Sequence, residues 1–556
     1  MKRLLPLALA LALLAGCTPP AAQSPAPVET PVTPSTQAPA PSGPPVYTDY
    51  SQLTPYEKTE RPVAKFTRRY EEFTDTLIPT DDYGPLIPFA GVSATRSEDD
   101  GWGWMEDYDL YGLMTLDGEV IVDPVFSSAY APSVWDPNYD NRRTLGCLVL
   151  QKVIADEKGE PVSVAALCAR DGSWCTGFDY IYDWELMMDS FDEAVPLYRW
   201  NGPNGAYNAV VFLDPDTGEE VKTVDLSKVL KRWPNLIWTL PYQIRCNETY
   251  PIFSDDDAHY LFDSDTGEVR SLEELLNTAL EGPYTWHSSE NLCRVKTASG
   301  WGYIDGGGNW VTDPIYEEAG DFENGRALVR DMEDGGSYKY IDRRGKVIYT
   351  FPASADTVSY FGEFLSYKSG GRRSFLDKDL RPLSLPDDFT DPYKQGDWFI
   401  QELPDPSPTV PGGWAFWNYK TGARRDFPGE WEFSHTSSED KAIFNGYAGK
   451  SRYALADLNT GEIIELGQWS SVYFTQDELT GETYLFLARW DEAGETPASE
   501  WRRLNGDILY RIEGAHSGYT SLWGGRVLTS GDNAVTLTEL RTGELLFSWP
   551  LYSLED

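Results

Sequence analysis

Two stretches of this chain, 190 residues apart, spell nearly the same pattern. Residues 112–129 (GLMTLDGEVIVDPVFSSA) lie over residues 302–319 (GYIDGGGNWVTDPIYEEA) without a gap. Gly112 meets Gly302, Gly118 meets Gly308, Asp123-Pro124 meets Asp313-Pro314, and Ala129 meets Ala319. Apolar positions agree too: Leu113 with Tyr303, Val120 with Trp310, Val125 with Ile315. An internal repeat constrains a fold more than any other sequence signal, because one supersecondary unit must be stacked on its copies to bury its apolar face. The pattern predicts a strand, a glycine turn, a second strand and a proline stop, with period-2 alternation along each strand.

The middle turn recurs in more degenerate units. Asp214 to Glu219, Asp263 to Glu268, Asp342 to Lys346, Asn418 to Gly422, Asp457 to Glu462 and Arg541 to Glu544 all carry a Gly a few residues after Asp, Asn or Thr. Asp171-Gly172 and Asn505-Gly506 serve the same role, as does the Gly-less Asp377-Lys378-Asp379. These residue types tolerate positive φ, which tight hairpin turns demand. With the two aligned copies, about eleven turns fall between residues 118 and 543, a mean spacing of about 42 residues, in the range of propeller blades. Three or four short strands per unit follow. Aromatic residues are 14% of the chain, with 20 Trp and 33 Tyr, a load that sheets favour. Helical periodicity is sparse. Its clearest case is Leu272 to Leu280, introduced by Ser271 with Glu274 as a capping box, and Leu226 to Leu230 suggests one more turn. The expected fold is all-β, a repeat protein of propeller-like blades of short antiparallel strands, with a β-hairpin solenoid as the alternative. Eleven units exceed the usual four to eight blades, which suggests two propellers or a propeller plus an open array.

The run Gly300 to Asp305, then Trp310 to Ala319, then Phe322 to Val329 resembles the WG repeat, the KWGYID-type repeat of bacterial surface and secreted proteins. Residues 101–130 look like a weaker copy, in which Gly101-Trp102-Gly103 precedes the strand instead of opening it. The resemblance implies an all-β repeat protein and carries no common catalytic motif.

The first residues resemble a bacterial lipoprotein signal. Lys2 and Arg3 precede an apolar run from Leu4 to Leu14, and Leu14-Ala15-Gly16-Cys17 looks like a lipobox. That implies a diacylglyceryl thioether, of palmitate type, on Cys17 and a mature chain starting there, held on the extracytoplasmic face of the cell membrane. The apolar run is too short to span a bilayer permanently. The expected organisation is a signal peptide at 1–17, a Pro/Ala-rich tether at 18–47, a short polar segment at 48–82, and β-repeat regions at 83–285 and 286–556. Formal net charge is −42, which argues against nucleic acid and anionic lipid headgroups as partners. Apart from Cys17, the cysteines are Cys147, Cys168, Cys175, Cys246 and Cys293, with no C-x-x-C spacing for zinc. Cys168 and Cys175 flank Asp171-Gly172 symmetrically. Directly opposed Cβ atoms usually lie beyond about 4.5 Å, so free buried thiols are the expectation and a bridge the alternative.

No catalytic constellation stands out. Asp214 to Gly218 and Asp263 to Gly267 look like the start of a calcium loop but lack its further ligands, so an Asx-type hairpin turn is the simpler reading. His259, His287, His435 and His516 sit in unrelated contexts, and no G-x-S-x-G or H-E-x-x-H is present. No cofactor or metal is expected. Trp301, Trp310 and Trp102 read as packing residues. Trp135, Trp286, Trp414 and Trp523 sit beside Gly, Pro or polar residues and are the candidate ligand contacts. The expected function is a lipid-anchored binding or scaffold protein whose repeat surface takes a protein or a cell-wall glycan. The alternatives are a carbohydrate-active hydrolase with paired carboxylates and a structural assembly factor of an envelope complex.

Overall fold

A computed structural model describes residues 47–49, 79, 81–95, 107–136, 141–155, 161–182, 194–200, 208–234, 244, 246, 249–254, 258–281, 290–332, 336–361, 364–407, 411–437, 440–446, 450–489, 497–513, 520–530, 534–550 and 552–554. Cys17, the tether, Gly101-Trp102-Gly103, Trp286 and the expected boundary at 285/286 lie outside them. The described chain is all-β apart from two short helices, Ser227–Arg232 and Leu272–Leu276.

The strands group into eleven blade-like antiparallel units. Units 1 to 6 span 86–126, 128–181, 195–225, 252–271, 292–316 and 316–350. Units 7 to 11 span 355–376, 393–427, 431–468, 471–513 and 520–550. Ten hold one of the predicted turns between their last two strands, and in unit 7 the predicted turn at 377–379 follows the last strand and leads to the bridge Leu376↔Pro382. Ten of these turns place a glycine at positive φ, from Gly118 (82°) to Gly543 (71°); the Gly-less one forces Leu380 to 63°.

The two aligned copies have the same register throughout. Tyr111 pairs with Phe126, Leu113 with Val122 and Met114 with Val120. Trp301 pairs with Tyr316, Tyr303 with Thr312 and Ile304 with Trp310, so the same two irregularities recur. Gly112 and Gly302 sit at this bulge because nothing larger fits. A Cβ on Gly112 would lie 2.7 Å from the Val122 carbonyl oxygen, and one on Gly302 would lie 2.6 Å from the Trp310 ring. Pro124 and Pro314 do not stop their strands, as the sequence suggested. Val120–Phe126 and Trp310–Glu323 run through them, because a bulge leaves unpaired positions where a missing N–H costs nothing. The strand then changes partner: Ala129 pairs with Leu150 in unit 2, and Ala319 with Val329 in unit 6.

Apolar packing links the units in order. Leu113 and Phe126 of unit 1 meet Leu148 and Leu150 of unit 2. Val149 and Leu167 of unit 2 meet Val195 and Leu213 of unit 3. The same one-to-next packing joins every later pair. The cycle closes, since Ile87, Phe89 and Met114 of unit 1 pack with Trp523, Val535, Leu537 and Trp549 of unit 11. Trp549 Nε1 donates to the Gly91 carbonyl at 2.9 Å across this joint. Tyr552–Leu554 adds parallel to unit 1 through Val92↔Tyr552, and Tyr47–Asp49 adds parallel to unit 10 through Tyr47↔Arg511. The described units thus form one cycle, not two propellers or an open array. Each joint buries several large side chains, worth about 1.5–3 kcal/mol apiece, which an open end would forfeit.

A turn absent from the sequence reading strengthens the closure. Asp477 to Glu482 repeats the Asp-x-x-Thr-Gly-Glu pattern, but between the first two strands of unit 10. Asp477 Oδ1 accepts from Leu479 N, Thr480 N and Gly524 N, and Oδ2 accepts from Gly525 N. Glu478 accepts from Thr144 Oγ1 at 3.0 Å and, through its carbonyl, from Arg170 Nη1 at 2.8 Å, both in unit 2. Leu479 packs into the joint between units 11 and 1.

Cys168 and Cys175 form a disulfide, which corrects the expectation of free thiols. Ala169 N donates to Trp174 O and Thr176 N to Leu167 O, so Cys168 and Cys175 are the non-hydrogen-bonded pair between them. Such pairs bring Cα atoms closest, here to 4.0 Å. Cys147, Cys246 and Cys293 form no disulfide among the described residues, and burial pushes the Cys147 thiol up to about 12. The predicted helix at 272 is capped by Ser271, which accepts from Glu274 N, but it ends at Leu276 because Asn277 turns left-handed at φ 49°.

Candidate functional site

Four sequence-nominated tryptophans meet four different fates. Trp286 lies outside the described residues. Trp135 lies on the ribbon strand Ser133–Asp136, opposite Arg142. Trp523 is buried at 7% exposure under the Arg170 guanidinium, and its Nε1 donates to Ser521 Oγ at 2.7 Å. The glycines beside it, which suggested an exposed contact, serve instead as donors to Asp477. Trp414 stands half-exposed in a group of rings.

That group is a bay between units 8 and 9. Its members are Tyr393 on Tyr393–Gln395, Trp414 on Trp414–Asn418 and Phe433 on Trp431–Thr436; His435, on the same strand as Phe433, and Phe474 on Ser471–Gln476 form a separate pair between units 9 and 10. All five are half-buried. Trp414 lies 5.6 Å from Phe433 and 6.5 Å from Tyr393, Tyr393 lies 6.0 Å from Phe433, and His435 meets Phe474 edge-on at 5.2 Å. Beneath them Phe416 and Phe444 are buried and hold Phe433 at 5.3 and 5.8 Å. Period-2 alternation alone would put Phe433 and His435 on one face; the register shift between them turns Phe433 toward Trp414 of unit 8 and His435 toward Phe474 of unit 10. Gln395 Oε1 accepts from Thr436 N and Oγ1 at 3.1 and 3.2 Å, which ties the first strand of unit 8 to that of unit 9.

The bay carries little charge. Burial lowers the pKa of His435, so its ring is neutral near pH 7. Burial, with help from Glu402, raises the Tyr393 phenol and keeps it protonated. Ser434 Oγ lies 2.9 Å from His435 Nδ1, but no carboxylate hydrogen-bonds that ring among the described residues, so the orienting member of a catalytic triad is missing. Neutral rings with hydroxyl and amide neighbours suit stacking and hydrogen bonding.

The suspected calcium loops are turns. Asp214 Oδ1 accepts from Asp216 N and Thr217 N, and Asp263 Oδ1 from Asp265 N and Thr266 N. No group of three or more His, Cys, Asp or Glu side chains that could hold a metal occurs among the described residues. His259 is occupied by Glu273 and packs as part of unit 4.

Compared with known proteins, residues 301–332 match the family of WG-containing repeats. No curated protein matches the chain. Among solved structures it is similar to a eukaryotic initiation factor, at 11% identity and TM-score 0.32, over 77% of this chain and 96% of that one. It is also similar to Hsv2p of Kluyveromyces lactis, at 11% identity and TM-score 0.21, over 40% of this chain and 74% of that one. Apo AztD of Citrobacter koseri matches at 8% identity and TM-score 0.24, over 62% and 92% respectively.

Proposed function

We propose that this chain is a binding or scaffold protein, lipid-anchored through Cys17 on the extracytoplasmic face of the cell membrane, whose aromatic bay takes a protein or a cell-wall glycan. The observation that carries the reading is the half-exposed, largely uncharged cluster of Tyr393, Trp414 and Phe433. Large apolar rings left open to water on a rigid sheet are characteristic of recognition surfaces. The lipobox-like start and the Cys168–Cys175 disulfide both suit an exported protein. A net charge of −42 disfavours nucleic acid and strongly anionic polymers as ligands.

The test is retention of envelope proteins and cell-wall polymers by immobilised protein, comparing wild type with Trp414→Ala and Phe433→Ala. Both rings also pack on the core of units 8 and 9, so an unchanged near-ultraviolet circular dichroism spectrum checks that each variant keeps its fold. Loss of a ligand held by the wild type supports the bay. Retention of nothing by the wild type ends the reading. Radiolabelled palmitate incorporation, abolished by Cys17→Ser, tests the anchor separately.

A further inference from the structure

Units 6 and 10 are built alike at their outer edge. Gly345-Lys346-Val347-Ile348-Tyr349 lies over Gly506-Asp507-Ile508-Leu509-Tyr510 without a gap. Asp342 N donates to Lys346 O, and Arg503 N to Asp507 O, both at 2.9 Å. Ile341 pairs with Val347 and Tyr340 with Tyr349, just as Arg502 pairs with Ile508 and Trp501 with Tyr510, so both last strands bulge at the same residue. Their surroundings differ. In unit 10 the bulged Leu509 packs on the core shared with unit 11, and Tyr47–Asp49 adds to the outer edge of the strand, pairing with residues 511–513. In unit 6 the bulged Ile348 is 41% exposed and Val347 is 44% exposed. The strand Val347–Thr350 ends its sheet, and no further strand joins it among the described residues. Pro352 follows soon after, so the open edge lies close to the turn.

The charge at this turn is inverted. In units 1, 3, 4, 9, 10 and 11 the residue after the turn glycine is acidic: Glu119, Glu219, Glu268, Glu462, Asp507 and Glu544. Unit 6 has Lys346 there, preceded by Arg343 and Arg344, on a chain whose net charge is −42. Arg343 is engaged by Glu290, with Nε 3.5 Å from Oε2 and Nη2 donating to the Glu290 carbonyl at 2.6 Å. Arg344 and Lys346 are exposed and make no ion pair among the described residues. The nearby carboxylate of Asp342 accepts from Arg344 N and Lys346 N and so serves the turn itself. Two unpaired cations thus stand at the head of an open strand that carries two exposed aliphatic side chains.

We propose that residues 344–350 are a docking site for an extended acidic segment of a partner protein, added to unit 6 as a further strand. Backbone groups along Val347–Thr350 supply the pairing, Val347 and Ile348 the apolar contact, and Arg344 and Lys346 the preference for charge. Tyr47–Asp49 shows that a last strand of this form accepts a short parallel strand on its outer edge. The occupant is acidic because the sign of this turn is the reverse of that in the other units, and a basic segment would be repelled by it. It is a protein segment because neither a lipid headgroup nor a polyphosphate can pair with a strand edge. The site lies on unit 6, apart from the bay on units 8 and 9, and rests on no part of that reading.

The probe is a fluorescent synthetic heptapeptide in which Glu alternates with Val, titrated into the full chain and read by anisotropy. Saturable binding is expected, with hydrogen exchange slowed at residues 344–350. Affinity should fall by at least about tenfold when Arg344→Glu and Lys346→Glu are combined, since two charge contacts become repulsive. A similar loss is expected when alternate amides of the peptide are N-methylated. Glu follows the turn glycine in five other units and Arg344 is exposed, and an unchanged thermal transition checks that the variant keeps its fold. Trp414→Ala should leave binding unchanged. No saturable binding up to millimolar peptide would overturn the proposal, as would binding that survives the double charge reversal or equal binding of the N-methylated peptide. Loss of binding in Trp414→Ala would overturn it by placing the peptide in the bay. Binding of phosphatidylglycerol vesicles or polyphosphate at these residues, without the peptide, would overturn it in favour of a lipid or polymer surface.

Discussion

Residues 112–129 and 302–319 share their backbone pairing, their bulge and their glycines, yet Val125 is core and Ile315 is surface. The comparison separates two things that a repeat encodes. Strand, turn and bulge are local, and both copies specify them with the same residues. Burial is not local. It depends on what the neighbouring unit lays on top, and only unit 2 carries a Cys175–Phe178 segment stapled to its own sheet. A repeat can therefore keep its geometry while one copy gives its apolar face to the core and another leaves it free.

The largest expected effect contrasts the two positions. Val125→Asp should cost about 3–5 kcal/mol, since it buries a charge with no partner, whereas Ile315→Asp should stay within about 0.5 kcal/mol of wild type. Thermal unfolding checks both, and equal costs would break the comparison.

Cys168→Ser sharpens it by loosening the cover. Opening this short loop should cost about 2–3 kcal/mol in the chain-entropy description. It should also increase hydrogen exchange of Val125 while leaving residues 310–319 unchanged. Wild type in reductant should behave like the variant.

Gly112→Ala and Gly302→Ala probe what the copies have in common. Each pushes a methyl against a carbonyl oxygen or ring at under 3 Å, so each should cost about 1–3 kcal/mol by overpacking. A cost at one position only would show that the bulges are not equivalent.

The smallest expected effect compares two like turns. Burial pushes the Asp477 carboxyl up, but the N–H groups of Gly525, Thr480, Leu479 and Gly524 outweigh it and hold its pKa below the usual range. Asp457 is also held low, with Lys441 and two turn N–H groups outweighing its partial burial, but it makes no contact with a second unit's backbone. Asp477→Asn should cost about 1–2 kcal/mol and Asp457→Asn less. For a depressed carboxyl the stabilisation is present above its unfolded pKa of about 3.9 and disappears as pH falls through the lower folded value. Acid titration of stability should thus show the Asp477 contribution vanishing below about pH 4, and the variant should lack that slope.

The bay illustrates where legibility ended. Trp414 was nominated because of its glycine neighbours, and it belongs to the bay. Tyr393 and Phe433 carry no such signal, because each lies on an ordinary alternating strand and they meet only when two units stack. Trp523 carried the same sequence signal as Trp414 and is buried, since Gly524 and Gly525 were answering Asp477 and not a ligand. Phe433 and His435, two residues apart, would share a face by alternation, and a register shift that no residue in the strand announces parts them.

By itself the sequence determined the unit: hairpins closed by Asp, Asn and Gly at about 42-residue intervals, their strand alternation, the shared register of the two copies, and the Ser271 cap. These depend on φ preferences and on side chains bonding to their own backbone, which act over a few residues. Only the tertiary structure decided that the units close into one cycle, that Cys168 and Cys175 bond, that Trp414 stays open while Trp523 is covered, and that Ile315 is exposed. Each of these depends on which atoms, hundreds of residues away in some cases, come to lie against a given side chain, and burial energy is set by that contact and not by the neighbours in the chain.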